Sequence, residues 1–109
     1  MSRFVTVAKK NEVRPGTLKV VSVESKEIVL TCVGENYYAF INVCSHMDFP
    51  LNDGTLEGTT VECAHHGAQF DVRTGAAISM PAVTPIETFP VKVVGEEIQI
   101  ELRDTSVGE

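Results

Sequence analysis

Two short stretches hold the residues able to do chemistry. The first is Cys44-Ser45-His46, and the second, after sixteen intervening residues, is Cys63-Ala64-His65-His66. They read C-x-H and C-x-x-H. Each offers one thiolate and one imidazole at a spacing where a tight loop aims both side chains the same way. Loop-forming residues accompany each: Pro50 and Asp53-Gly54 follow the first, and Gly67 follows the second. Two such loops facing each other converge four ligands on one point. Soft thiolate with borderline imidazole suits an iron–sulfur cluster, zinc or copper, and does not suit calcium or magnesium. A mononuclear zinc site of two Cys and two His would be tetrahedral and closed. Zinc fingers usually pair like with like, as C-x₂₋₄-C and H-x₃₋₅-H, whereas each half here is mixed. A mixed pair suits a two-iron cluster, with both thiolates on one iron and both imidazoles on the other.

The elements that must hold these loops read as strands. Phe4, Val5 and Val7 suggest a first strand, although Phe4-Val5 breaks strict alternation. Residues 11–16 are polar and end in the turn signal Pro15-Gly16. Residues 17–23 (TLKVVSV) are rich in β-branched side chains, and Glu24 to Glu27 reads as a charged turn. Residues 28–33 (IVLTCV) form a strand with Ile28, Leu30 and Cys32 on one face. Cys32 is then a small buried strand residue with no redox role. Gly34-Glu35-Asn36 turns the chain, and 37–41 (YYAFI) returns it as a hairpin.

The first ligand loop starts at Asn42. Residues 59–63 lead as a short strand into the second loop, and Gln69-Phe70-Asp71-Val72 leave it, closed by Arg73-Thr74-Gly75. Residues 78–90 contain three prolines, which argues against a helix. The last hairpin is 91–94, Gly95-Glu96, then 97–102, with Ile98, Ile100 and Leu102 sharing one face; a polar, frayed tail follows from Arg103. The pattern predicts an all-β fold, an antiparallel sandwich or small barrel, as a single domain over 1–109. Residues 42–81 form a cluster-binding subdomain inserted in it.

Over residues 44–81 the chain resembles the Rieske ferredoxin family. The pattern is C-x-H … G … V-x-C-x-x-H-G-x-x-F-D-x-x-T-G … P, here Cys44, His46, Gly54, Val61, Cys63, His66, Gly67, Phe70, Asp71, Thr74, Gly75 and Pro81. The resemblance implies one [2Fe–2S] cluster per chain, with Cys44 and Cys63 on an inner iron and His46 and His66 on an outer iron that reaches solvent. His65 falls outside the C-x-x-H spacing and reads as a non-ligand loop residue; a titrating neighbour or a substitute ligand are the other readings. Pro81 lies in the family's third, cluster-covering loop. Met47, Phe49, Met80 and Ala82 either rim the outer iron as an apolar docking patch or pack beneath the loops. High-potential members of the family carry a disulfide between the loops, where this chain has Phe49 and His65. They also carry hydroxyls that donate to the cluster, where this chain has Ala68 and Phe70. Fewer donors imply a potential toward the low end of the roughly −150 to +300 mV Rieske range.

Composition sets the remaining bounds. A chain of 109 residues, 43% hydrophobic and 22% charged, has the make-up of one globular domain. Its net charge of −6 disfavours nucleic acid, whose binders are basic. No apolar run approaches the roughly 20 residues of a spanning helix, and three cysteines fit a reducing compartment, so a cytoplasmic location without a membrane partner is expected. There is no G-x-G-x-x-G, and no mononuclear iron triad beyond the cluster ligands, which argues against an enzyme. The segment from Pro81 to Pro90 most resembles ferredoxin components of bacterial aromatic-ring-hydroxylating dioxygenases. The expected role is a monomeric one-electron carrier. It would dock by its cluster tip on a flavin-dependent ferredoxin reductase and then on a terminal oxygenase. A small Rieske subunit of a larger oxidoreductase such as nitrite reductase, and a structural zinc module, are the alternatives.

Overall fold

Apolar residues at every second position leave little room for helix, and the described residues fold mainly into short strands. A computed structural model describes residues 2–43, 50–64, 67–79 and 85–103. In chain order the strands are β1 (Ser2–Lys9), β2 (Leu18–Val23), β3 (Lys26–Val33), β4 (Asn36–Ile41), β5 (Thr55–Glu57) and β6 (Thr60–Glu62). They continue as β7 (Gln69–Asp71), β8 (Ala77–Ser79), β9 (Thr88–Phe89), β10 (Val91–Val94) and β11 (Glu97–Arg103). One turn of 3-10 helix, Lys10–Glu12, follows β1. All strand pairs are antiparallel, in three sheets ordered β1-β11-β10, β2-β3-β4-β9 and β5-β6-β7-β8. The first two make the base. The third lies between β4 and β9 in sequence, so the chain leaves the base at Ile41 and returns at Thr88.

β3 joins the two halves of the core. Ile28, Leu30 and Cys32 face one apolar cluster, shared with Ala8, Ile98, Ile100 and Leu102. Val29 faces the other, with Phe40, Leu51, Val61 and Phe70. Each fully buried aliphatic side chain contributes about 1.5–3 kcal/mol, so a strand buried on both sides contributes more than an edge strand of equal length. Its buried Thr31 hydroxyl is satisfied by donating to the Thr17 carbonyl at 2.7 Å. Cys32 is 3% exposed and its thiol donates to the Gly34 carbonyl at 3.4 Å, as expected for a structural cysteine. Opposite it, the Tyr37 phenol is pushed above its ordinary value, by burial first and then by Cys32.

Four details differ from the expectation. Phe4 and Val5 pair in regular register with Glu101 and Ile100, and Phe4 is an apolar residue on the outer face, beneath the Lys92 ammonium at 4.6 Å. A β-bulge follows: Thr6 pairs with Gln99 and Ala8 with Ile98, leaving Val7 unmatched and bringing Ala8 into the core. The charged turn is only Glu24-Ser25, both at positive φ (51° and 72°), while Lys26 and Glu27 already pair in β3. Glu24 there forms an ion pair with Arg3. Arg103, read from the sequence as the start of the tail, closes β11 instead; the rest of the expected tail, residues 104–109, lies outside the described set. β5, β8 and β9, of three, three and two residues, are too short to show a period.

Candidate metal centre

The third sheet supports the ligand loops, and hydrogen bonds close each loop at its base. In the first, the Asn42 side chain reaches across to the backbone of Leu51 and Asn52. In the second, Cys63 N–H donates to the Ala68 carbonyl at 2.8 Å and Gly67 N–H donates to the Cys63 carbonyl at 2.9 Å. A third loop lies between Gly75 and Ile86, where Ile86 N–H donates to the Gly75 carbonyl at 2.9 Å.

The bases are also tied to one another. Gly54 sits so close to β6 that a Cβ there would lie 1.9 Å from the Glu62 carbonyl oxygen, which binds the exit of the first loop to the strand leading into the second. At Gly75, φ is +82° and a Cβ would meet the Ile86 carbonyl oxygen at 2.1 Å, so both conformation and space require glycine. Ile41 N–H donates to the Glu87 carbonyl at 2.9 Å, joining the start of the first loop to the end of the third. The turn after β7 is held by Asp71, whose Oδ1 accepts from Arg73 N (2.8 Å) and Nε (3.1 Å) and whose Oδ2 accepts from its guanidinium at 2.9 Å. That guanidinium holds the Asp71 carboxyl below the ordinary value, with partial burial opposing it.

Among the four expected ligands, Cys63 is described; Cys44, His46 and His66 lie outside the described residues. So do His65, Met47, Phe49, Met80, Pro81 and Ala82. Among the described residues no three His, Cys, Asp or Glu side chains form a metal-holding group. Cys63 itself is 1% exposed and packs in the cluster with Leu51, Ala68, Phe70 and Ile86. Those neighbours belong to all three loop bases, so the described ends of the loops share one apolar floor. A thiolate sulfur is a soft ligand that suits iron–sulfur clusters, zinc or copper. The buried sulfur at the head of the second loop therefore fits an inner ligand of an iron–sulfur cluster. Phe70 and Ala68 are fully buried and present only carbon toward this floor from their side chains. Asn42 is a further residue of the site that spacing alone does not single out, because its partners lie on two other segments.

Residues 3–90 match the model of the Rieske [2Fe–2S] domain. The chain belongs to the Rieske [2Fe–2S] family. Within it, the chain is similar to ferredoxins, electron carriers that hold one two-iron cluster and are not themselves catalysts. The ferredoxin component of the naphthalene 1,2-dioxygenase system of Pseudomonas aeruginosa is 41% identical over 91 residues, covering 84% of this chain and 88% of that protein. The ferredoxin of carbazole 1,9a-dioxygenase from Nocardioides aromaticivorans IC177 superposes with a TM-score of 0.86 at 34% identity, covering 89% of this chain and 95% of that one. A ferredoxin solved in complex with the oxygenase of carbazole 1,9a-dioxygenase gives a TM-score of 0.84 at 33% identity, covering 89% and 91%.

Proposed function

We propose that this protein is the ferredoxin component of an aromatic-ring dioxygenase system. It takes single electrons from an NAD(P)H-dependent flavin reductase and passes them to a terminal oxygenase. The observation that carries the reading is the shared floor: Cys63 lies buried in the one apolar cluster that also contains Leu51 and Ile86, the closing residues of the first and third loops. Cys44 and Cys63 hold the inner iron, and His46 and His66 the outer one, within a cluster-binding subdomain of residues 42–81. When bound, the cluster accepts and releases one electron. The chain's own described residues bury the Cys63 sulfur and keep bulk water from it. The carbon-only side chains of Ala68 and Phe70 support a low reduction potential, because neither offers a hydroxyl donor to stabilise the reduced state. The protein works as a monomer in the cytoplasm, docking on each partner in turn by the cluster end. The similarity to the ferredoxin solved with its oxygenase supports the second docking step.

The test is an optical spectrum of the purified protein before and after dithionite, with EPR on the reduced sample. A red-brown protein with a rhombic reduced signal is expected. A colourless protein with one tightly held zinc would overturn the reading.

A further inference from the structure

Asn42 is a polar side chain only 4% exposed, at the point where β4 ends and the first ligand loop begins. It uses both ends of its amide. Oδ1 accepts from Leu51 N–H at 2.8 Å and from Asn52 N–H at 2.9 Å. Nδ2 donates to Asn52 Oδ1 at 3.0 Å and to Glu27 Oε1 at 3.3 Å. The backbone of Asn42 adds a third tie, its N–H donating to the Glu27 carbonyl at 2.9 Å. The orientation of the amide follows from its partners, because two backbone N–H groups can only face its oxygen. One side chain thus spans the loop from its first residue to its far side, and fastens both to β3. Leu51 is fully buried, so without this acceptor its N–H would be stranded in the core.

We infer that Asn42 is a positioning residue for the cluster. It fixes the width of the first ligand loop, and with it the approach of Cys44 and His46 to Cys63. The two halves of its amide have separate tasks: Oδ1 sets the loop width, and Nδ2 anchors the loop to β3 through Glu27. Asparagine serves both because it carries an acceptor and a donor on one short stem. The inference rests on the ligand assignment proposed above.

The test uses the holoprotein and three variants: Asn42→Ala, Asn42→Asp, and Asn42→Asp combined with Glu27→Gln. In Asn42→Ala the amide protons of Leu51 and Asn52 should exchange faster. Cluster absorbance should be lost about tenfold faster in a chelator, the usual scale for removing a group that orients a metal ligand. The reduced EPR g values and the potential of the remaining holoprotein should move as well, which a general loss of stability would not cause. Asn42→Asp keeps both acceptors, loses the donor and sets a carboxylate against Glu27, so the cluster should be lost faster than in the wild type. Adding Glu27→Gln returns a donor and should restore cluster retention to near the wild-type rate. Wild-type EPR, potential and loss rate in Asn42→Ala would overturn the inference, as would a double variant no better than Asn42→Asp. If Asn42→Ala fails to fold, the Asn42→Asp pair decides. The wild-type spectrum separates the two layers: without a two-iron signal there, the ligand assignment itself falls.

Discussion

Gly54 offers a direct test of how tightly the ligand loops are coupled. Substitution to alanine places a methyl group where only 1.9 Å separates the Cβ position from the Glu62 carbonyl oxygen, with the Leu51 carbonyl oxygen at 3.2 Å. Both obstacles are backbone, so neither can rotate away. Bringing the nearer contact to the 3.0 Å that real side chains tolerate moves the first loop's exit from β6 by at least about 1 Å. The shift strains the Thr55–Glu62 pairing and the Gly54 N–H bond to the Leu51 carbonyl at 3.0 Å. Overpacking of this kind costs about 1–3 kcal/mol, and a weakened hydrogen bond adds about 1 kcal/mol. We expect Gly54→Ala to lose about 2–4 kcal/mol of stability and to retain the cluster poorly. Gly95→Ala is the control. Its φ is +61° but nothing lies within 4 Å, so it should cost about 1 kcal/mol through backbone strain alone and leave the cluster in place. Denaturant unfolding followed by circular dichroism gives the stability, and visible absorbance per mole of protein gives the retention. A Gly54→Ala protein within about 0.5 kcal/mol of wild type, with a full complement of cluster, would refute the coupling.

Three further outcomes are expected. Ala68→Ser, which adds a hydroxyl on the apolar floor, should raise the reduction potential in a mediated titration by on the order of 50 mV, the one-electron equivalent of about 1 kcal/mol of hydrogen bonding. The Asp71 carboxyl is held below its ordinary 3.8 by Arg73, so its contribution to stability is present above that value and is lost as pH falls through the depressed folded value. The acid limb of thermal stability should accordingly flatten in Asp71→Asn, and an unchanged limb would count against the Arg73 pairing. Cys32→Ala should leave the spectrum and potential as they are and lower stability by about 1 kcal/mol through the small cavity, since Cys32 lies in the core cluster with Leu30 and Ile98 rather than among the ligand loops; a changed potential would assign the thiol a redox role.

Long, regular elements were legible in the sequence and short or interrupted ones were not. The hairpins at 28–41 and 91–102 announced themselves by alternation and a glycine turn. The bulge at Val7 is invisible to a period-two reading, because Val7 stays in step with Val5 and only the small Ala8 falls out of it. Glu24-Ser25 takes a two-residue turn at positive φ without the Asn-Gly or Asp-Gly pair that usually marks it, so its charged neighbours Lys26 and Glu27 look like turn although they pair in β3. For the site, the ligand spacing and several pattern positions could be read directly. Gly54 and Gly75 stood in the pattern, but their reason could not be read, since it lies in carbonyls eight and eleven residues away. Asn42 escaped because its importance comes from partners on two other segments, and nothing in its neighbourhood along the chain distinguishes it from an ordinary loop asparagine.

The ties at the loop bases run from one protein group to another: amide to carbonyl, amide to side chain. Among the described residues, none of these ties uses the Cys63 sulfur. In zinc fingers the metal is the folding energy, and the apo chain is unfolded. Here the described strands and loop bases have their own cohesion from burial and hydrogen bonds, so the base of the fold should outlast the cluster. A sample stripped of its cluster by a chelator should keep its far-ultraviolet circular dichroism after its colour has gone, and loss of both together would refute this.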